Sequence, residues 1–357
     1  MICKSSGLEV QDHDEKGYKS WCVVRIGVVF VGVIVACMVL SNSEPMSYVF
    51  IRNSRIMGMN RNTLDIVLKR ASMKNKTVIL TTLNDAWAEP NSIFDLFLES
   101  FRIGNKTKRL VKHLVVICMD KKAYKRCLAL HPHCHHLRTK GINFSSEALF
   151  MNPDYLQMMW RRIEFLAHLL EKGYSFVFTD SDIMWLQNPF KRFYPDADFQ
   201  IACDYFWGNS YDVDNLPNGG FNYVKSNNRT IQFYKFWYKS RERYPGLHDQ
   251  DVLNKIKHEP FIKEIGLQLR FLDTAYFGGF CQPRELINLI CTMHANCCVG
   301  LQNKVRDLQI LLDDWRRFML LNPTMLSNAT LSVPQYCRTS FEHHNTSKEN
   351  SKTAHKK

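Results

Sequence analysis

Asp180 and Asp182 stand two residues apart at the end of an apolar run, in the stretch FVFTDSDIMWLQNP. On extended backbone, residues i and i+2 share a face, so both carboxylates can project to the same side. Converging carboxylates suit a hard divalent cation, which takes oxygen ligands and can bridge a diphosphate. The C-terminal ends of strands are also where open α/β sheets bind ligands. Aspartate is common in solvated turns, but apolar residues flank this pair on both sides, which argues against a purely solvated turn.

Three further stretches carry groups able to complete such a site. Leu216-Pro-Asn218-Gly219-Gly220-Phe-Asn-Tyr-Val224 offers paired glycines, which let backbone approach a neighbour closely. Asn218 beside them can both donate and accept; a tight turn entering a strand is the alternative reading. His248-Asp249-Gln250-Asp251-Val-Leu-Asn254 opens a helical pattern, where acidic residues suit the N-terminus, so capping competes with chemistry at Asp249. Thr292-Met-His294-Ala-Asn-Cys-Cys298 follows an apolar run, and neutral imidazole at His294 could complete a metal's coordination.

The elements that must position these groups alternate between short apolar runs and helical periodicity. Residues 77–81 and 113–118 predict buried parallel strands, with a helix over 92–102 between them that Gly104 ends. A helix from Tyr155, apolar at Met158, Met159, Ile163, Leu166, Leu169 and Leu170, stops at Gly173 before a strand over 176–179. Further helices are predicted over 230–243 and 301–320. This alternation is the pattern of an α/β sheet with crossover helices. Residues 41–74 read as a polar stem, 75–320 as a catalytic domain, and 321–357 as a polar tail disordered from about Ser340.

The 357 residues carry 47 Lys+Arg against 34 Asp+Glu, a net charge of +13, with 45% hydrophobic and 23% charged residues. That is globular rather than disordered composition. The basic excess suits anionic partners such as nucleotide phosphates, membrane surfaces or acidic polysaccharides. The basic residues are scattered and no nucleic-acid motif accompanies them, which argues against a nucleic-acid partner.

Residues 21–40 are apolar apart from Arg25 and long enough for a membrane span, predicting one transmembrane signal anchor after a cytoplasmic tail of residues 1–20. A signal peptide cleaved near Ser41-Asn42-Ser43 is the alternative. The long leader of mixed charge favours the anchor. Either places the remainder in the secretory lumen, where sequons occur at Asn75, Asn105, Asn143, Asn228, Asn328 and Asn345. Nine cysteines (118, 127, 134, 203, 281, 291, 297, 298 and 337) follow residue 40, so at least one stays free or pairs between chains. Cys127 and Cys134 bracket a His/Pro turn and are expected to form a disulfide. Zinc binding by the same histidine-rich turn would need a second ligand cluster, and none stands out.

Taken in order, FVFTDSDIMWLQNP, NGGFNYVKS, HDQDVLN and MHANCC resemble the plant nucleotide-diphospho-sugar transferases of glycosyltransferase family 77, over roughly residues 77–315. The resemblance implies a GT-A fold, a Rossmann-like mixed sheet flanked by helices. It also implies a UDP-sugar donor, Mn²⁺, retention of anomeric configuration, and a glycan or glycoprotein acceptor in cell-wall or glycoprotein synthesis. In this likeness Asp180 and Asp182 are the metal- and nucleotide-binding pair, and His294 the third protein ligand. Asn218, Gly219 and Gly220 line the donor-sugar site. Asp249, Gln250 and Asp251 face sugar and acceptor, with the two aspartates as nucleophile candidates, and Thr81 and Asn84 sit near the nucleotide. Related retaining transferases follow the metal histidine with a Gly and a Lys that hold the diphosphate; Gly300 and Lys304 stand there at wider spacing.

With the apolar N-terminal run, the expectation is a single-pass type II protein of the Golgi membrane whose catalytic domain is lumenal. Two rival readings remain. A haloacid-dehalogenase-type phosphohydrolase also sets D-x-D after an apolar strand, but continues with Thr or Val and a later acidic motif. Here Met184 follows Ile183 and no such motif appears downstream. A non-catalytic lumenal sugar-binding protein of the same fold would not need Asp180, Asp182 and His294 together.

Overall fold

A computed structural model describes residues 63–138, 152–283 and 286–354. The expected cytoplasmic tail, the membrane anchor and the stem up to residue 62 lie outside the described residues. Among those described, no helix is long and apolar enough to cross a membrane.

The chain opens with α1 (Thr63–Ala71), β1 (Thr77–Leu83), α2 (Asp85–Ala88), α3 (Ile93–Ile103), β2 (Leu114–Cys118), α4 (Lys121–Leu130) and β3 (Cys134–His136). There follow α5 (Pro153–Glu171), β4 (Ser175–Thr179), β5 (Ile183–Trp185), β6 (Phe199–Tyr205), β7 (Leu216–Val224) and α6 (Asn228–Ser240). The rest comprises α7 (Asp249–Ile256), α8 (Pro260–Glu264), β8 (Leu269–Phe271), β9 (Phe277–Gly279), β10 (Thr292–His294), α9 (Leu301–Phe318) and α10 (Gln335–Ala354).

Seven strands form one sheet in the order β3-β2-β1-β4-β7-β6-β8. Strands β3, β2, β1 and β4 are parallel, and the near-continuous apolar sequences of β2, β1 and β4 suit a sheet covered by helices on both faces. Only β7 is reversed, pairing antiparallel with β4 and β6, while β8 runs parallel to β6. The fold is therefore α/β with a central mixed sheet, as the alternating sequence pattern predicts. A second sheet, β5-β10-β9, joins β10 antiparallel to β5 and parallel to β9.

Two apolar layers sandwich the large sheet. In one, α3 and α9 bring Phe94, Phe97, Phe101, Leu308, Leu312 and Trp315 against Val116, Val177 and Trp185. In the other, α1, α5, α6 and α7 pack on Val78, Leu80, Phe176 and Phe178. Helix α5 begins where Asn152 accepts the Tyr155 N–H at 2.7 Å and Pro153 takes the first position. It buries Met159, Ile163, Leu166 and Leu170, and Arg162 lies inside that same buried stripe.

Two boundaries differ from the sequence reading. Residues 63–71, expected to be polar stem, form a helix that buries Leu64, Leu68 and Ala71 against Val115 and Ile117, so they belong to the globular unit. Three apolar residues suffice because β2 supplies the partner surface. Residues 335–354, expected to lie in the polar tail and to be disordered from about Ser340, form α10. A disulfide from Cys298 to Cys337 ties that helix down, and Asp307 accepts the Cys337 N–H at 2.7 Å. Disulfides also join Cys127 to Cys134, as expected, and Cys281 to Cys297, while Cys118, Cys203 and Cys291 are free and buried.

The Cys298–Cys337 link spans 39 residues, and removing a native disulfide costs about 2–5 kcal/mol. Cys337→Ser is expected to lower the melting temperature and to accelerate amide exchange at the start of α10. An unchanged melting curve would show that the link does not stabilise the unit.

Candidate functional site

Strand β4 ends at Thr179, and the Asp180 N–H donates to the Gly220 carbonyl of β7 at 2.7 Å. The chain then turns sharply, the Ile183 N–H donating to the Asp180 carbonyl at 3.2 Å, and enters β5. Pairing of β5 with β10 sets His294 opposite Ile183, and the Ala295 N–H donates to the Asp182 carbonyl at 3.1 Å. Two segments remote in sequence thereby converge. Asp180, Asp182 and His294 each place one ligand atom within 4.8 Å of the others.

Asp182 is 1% exposed. Its Oδ2 accepts from Lys304 Nζ at 2.6 Å, while its Oδ1 lies 3.2 Å from His294 Nε2 and is buried without an aligned hydrogen bond. Burial pushes both carboxyls up. At Asp180 it prevails over the attraction of Arg162, so that group sits above the usual carboxylate range. At Asp182 burial is outweighed by Lys304 and His294, which hold the group below that range. Two carboxylates, one imidazole and a buried oxygen with a lone pair to spare are a donor set that a divalent cation takes. The residues fit such an ion.

Gly220 is what permits this approach. A Cβ there would lie 2.7 Å from Asp180 Oδ2, 2.7 Å from His294 Cε1 and 2.9 Å from Asn218 Oδ1, closer than real side chains come. Its neighbour Gly219 has ordinary space, nothing lying nearer to a Cβ than 3.5 Å, and its N–H donates to Gln250 Oε1 at 2.9 Å.

Two residues that the motifs do not reveal organise the surroundings. Arg162, 5% exposed, donates to Asp180 Oδ1 at 3.0 Å and to Asp249 Oδ2 at 2.6 Å, with its guanidinium over the Phe178 ring. One charge inside the apolar stripe of α5 was the signal that could have found it. Asp204, at the end of β6, accepts from Asn218 Nδ2 at 2.8 Å, Asn296 Nδ2 at 2.7 Å and Gln250 Nε2 at 2.8 Å. Nothing in its sequence context marks it, because its partners come from three other segments.

The remaining expected residues divide. Asp249 lies in the cluster through Arg162, and it is not the cap of α7: His248 Nδ1 accepts the Asp251 N–H. Asp251 is half-exposed, and its carboxylate lies 3.7 Å from His248 Nδ1 rather than in the cluster. Residues two apart on a helix do not share a face, so Asp249 and Asp251 cannot both point inward. Thr81 is buried within β1. Asn84 caps α2 by accepting the Trp87 N–H at 3.2 Å, and the Trp87 ring lies 5.4 Å from Lys304 Nζ, so this segment borders the site through Trp87.

Residues 109–308 match the family described as nucleotide-diphospho-sugar transferase. An uncharacterised protein of Arabidopsis thaliana is 54% identical over 254 residues, covering 71% of this chain and 67% of the relative. UDP-D-xylose:L-fucose alpha-1,3-D-xylosyltransferase 3 of Arabidopsis thaliana is 22% identical over 204 residues, 52% of this chain and 51% of the relative. A solved glycosyltransferase involved in glycosylation of the major capsid of PBCV-1 superposes with a TM-score of 0.40 at 14% identity, over 65% of this chain and 98% of that one.

A methyl group at Gly220 must displace Asp180 or His294, whereas one at Gly219 need not. Gly220→Ala is therefore expected to weaken the binding of a divalent cation, probed with Mn²⁺ by electron paramagnetic resonance, by about 10–100-fold, the range for disturbed ligand support. Gly219→Ala should stay near the parent's affinity. Equal losses in the two variants would refute this account of the paired glycines.

Proposed function

The chain belongs to the nucleotide-diphospho-sugar transferase family, and from that premise we propose that it moves a sugar from a UDP-sugar to a glycan or glycoprotein acceptor, on a GT-A-type sheet, with Mn²⁺ held by Asp180, Asp182 and His294. The observation that carries this reading is the convergence of those three side chains within 4.8 Å, beside Lys304. Mn²⁺, when bound, would act as a Lewis acid toward the charge growing on the departing diphosphate.

The chain's own residues supply the rest. Lys304 uses one of its ammonium donors on Asp182 and has others to offer a phosphate oxygen. That contact supports Lys304 as the diphosphate lysine despite its wider spacing from His294. Asn218, Gln250 and Asp204 form a hydrogen-bonded polar layer beside Gly219 that suits the hydroxyls of the donor sugar. Arg162 bridges Asp180 and Asp249, fixing both carboxylates.

Of the two nucleophile candidates, Asp249 is tied to a buried guanidinium and Asp251 lies half-exposed outside the cluster, so neither offers a free carboxylate at the sugar. That arrangement favours retention by same-face attack. The bond from the anomeric carbon to the diphosphate breaks, the bond to the acceptor oxygen forms, and the acceptor's proton passes to a departing phosphate oxygen. Dipoles and charges aimed at the developing positive carbon would come from the Gln250 and Asp204 layer.

The same reading takes residues 1–20 as cytoplasmic tail, 21–40 as anchor, and the globular unit as lumenal in the Golgi, with products in cell-wall or glycoprotein synthesis. Three disulfides among the described residues support an oxidising compartment.

The test is Mn²⁺-dependent UDP affinity by calorimetry beside a transfer assay over a panel of UDP-sugars. The first pair to try is UDP-xylose with methyl α-L-fucoside, the chemistry named for the xylosyltransferase relative. Asp182→Ala should lose more than about 100-fold in Mn²⁺-dependent UDP affinity, beyond the range of outer-shell changes. His294→Ala should fall between it and a surface control. Parent-like, Mn²⁺-dependent UDP binding by Asp182→Ala would overturn the assignment.

A further inference from the structure

Residues 206–215 join β6 to β7 at the same sheet edge as the carboxylate cluster. Strand β7 runs antiparallel to both β4 and β6, so β4 and β6 end on one side. Along the β6–β7 ladder, Tyr205 pairs with Leu216 just beyond Asp204 and Asn218, whose side chains lie in the site. The loop thus leaves the same strand ends that carry the polar layer.

This loop displays aromatic faces to solvent. Tyr205, Trp207 and Tyr211 are 36%, 57% and 63% exposed. The Tyr205 and Trp207 rings lie within 14° of parallel with centroids 6.1 Å apart. Rings this large give the fold little packing in return for standing in water, yet they are firmly held. Trp207 Nε1 donates to the Asp214 carbonyl at 3.1 Å, and its N–H to Asn215 Oδ1 at 2.7 Å. The buried Asn215 side chain in turn donates to the carbonyls of Asn209 at 2.8 Å and Asp212 at 2.7 Å. Lys257 Nζ donates to the Asn215 carbonyl at 2.6 Å, and the Phe206 N–H donates to Gln282 Oε1 at 3.0 Å. Tyr211 is backed on one face by the Arg270 guanidinium at 3.9 Å. The loop is built to present its rings.

We propose that Tyr205 and Trp207 form the platform on which a pyranose ring of the acceptor stacks, so that the acceptor is a saccharide; this rests on the transferase reading above. An aromatic face carries partial negative charge, which attracts the C–H hydrogens on the apolar face of a sugar. The polar groups of Asp204, Asn218 and Gln250 gather at the strand ends from which this loop leaves, on the edge where a hydroxyl must approach the donor. Rigid aromatic surface beside a few convergent polar groups is how small-ligand sites gain both affinity and orientation. Because the indole is pre-positioned, stacking costs little ordering entropy.

The full chain, with saturating Mn²⁺ and UDP, is titrated with methyl α-L-fucoside, methyl β-D-xyloside and methyl β-D-galactoside under saturation-transfer difference NMR. At least one glycoside should bind through its ring C–H protons, and Trp207→Ala should weaken it about tenfold, the worth of one aromatic contact. Trp207→Phe, which keeps a ring and loses the Asp214 hydrogen bond, should retain most of the affinity. Parent-like binding by Trp207→Ala overturns the platform, as does a parent that binds UDP with Mn²⁺ but none of the glycosides. A parent that fails to bind UDP with Mn²⁺ takes the transferase reading down with it.

Discussion

Asp182 is a carboxylate almost wholly removed from water, and an isolated buried charge would neutralise itself rather than persist. It stays ionised because Lys304 and His294 outweigh the cost of its burial. Each partner comes from a different element, Lys304 from the first turn of α9 and His294 from the end of β10, so neither can be lost locally without stranding the charge. Much of the architecture around β5 serves this arrangement. The small sheet exists to bring β10 alongside the turn that leaves β4.

Asp180 answers to a different constraint. Its partner is Arg162, which enters from α5 on the other face of the sheet and reaches Asp249 as well. The guanidinium connects three elements, β4, α5 and α7, at one point. A single cation thereby positions two acidic groups whose mutual repulsion would otherwise push them apart. The same pairing ties the Asp249 carboxylate to a buried guanidinium.

Close backbone approach is the third requirement. With Gly220 under Asp180 and His294, and Gly279 leaving only 2.6 Å between a would-be Cβ and Asn296 Oδ1, the site is shaped by absent side chains as much as by present ones. Around it, the Cys281–Cys297 disulfide and the Asn215 network hold the surrounding loops in place. Loops so constrained can keep aromatic rings exposed in one orientation, which ordering entropy would otherwise oppose.

Much of this protein was legible in its residues alone. The alternation of apolar runs with helical periodicity located β1, β2, β4, α3, α5, α6 and α9, because burial on a sheet face or a helix stripe leaves a local period. The D-x-D at a strand end, the paired glycines and the histidine after an apolar run named the metal-binding candidates for the same reason: strand geometry dictates which side chains can converge. The family likeness was carried by short motifs in order. Helices α1 and α10 were not legible, since each depends on a partner supplied from elsewhere, apolar strand residues for α1 and Cys298 for α10. Nor was the inward role of Asp249 separable from Asp251 until the helix phase of α7 was known. Arg162 and Asp204 were decided only by tertiary structure. Their meaning lies in which charges and amides face them across the fold, and electrostatic partnership between distant segments leaves no period in a sequence.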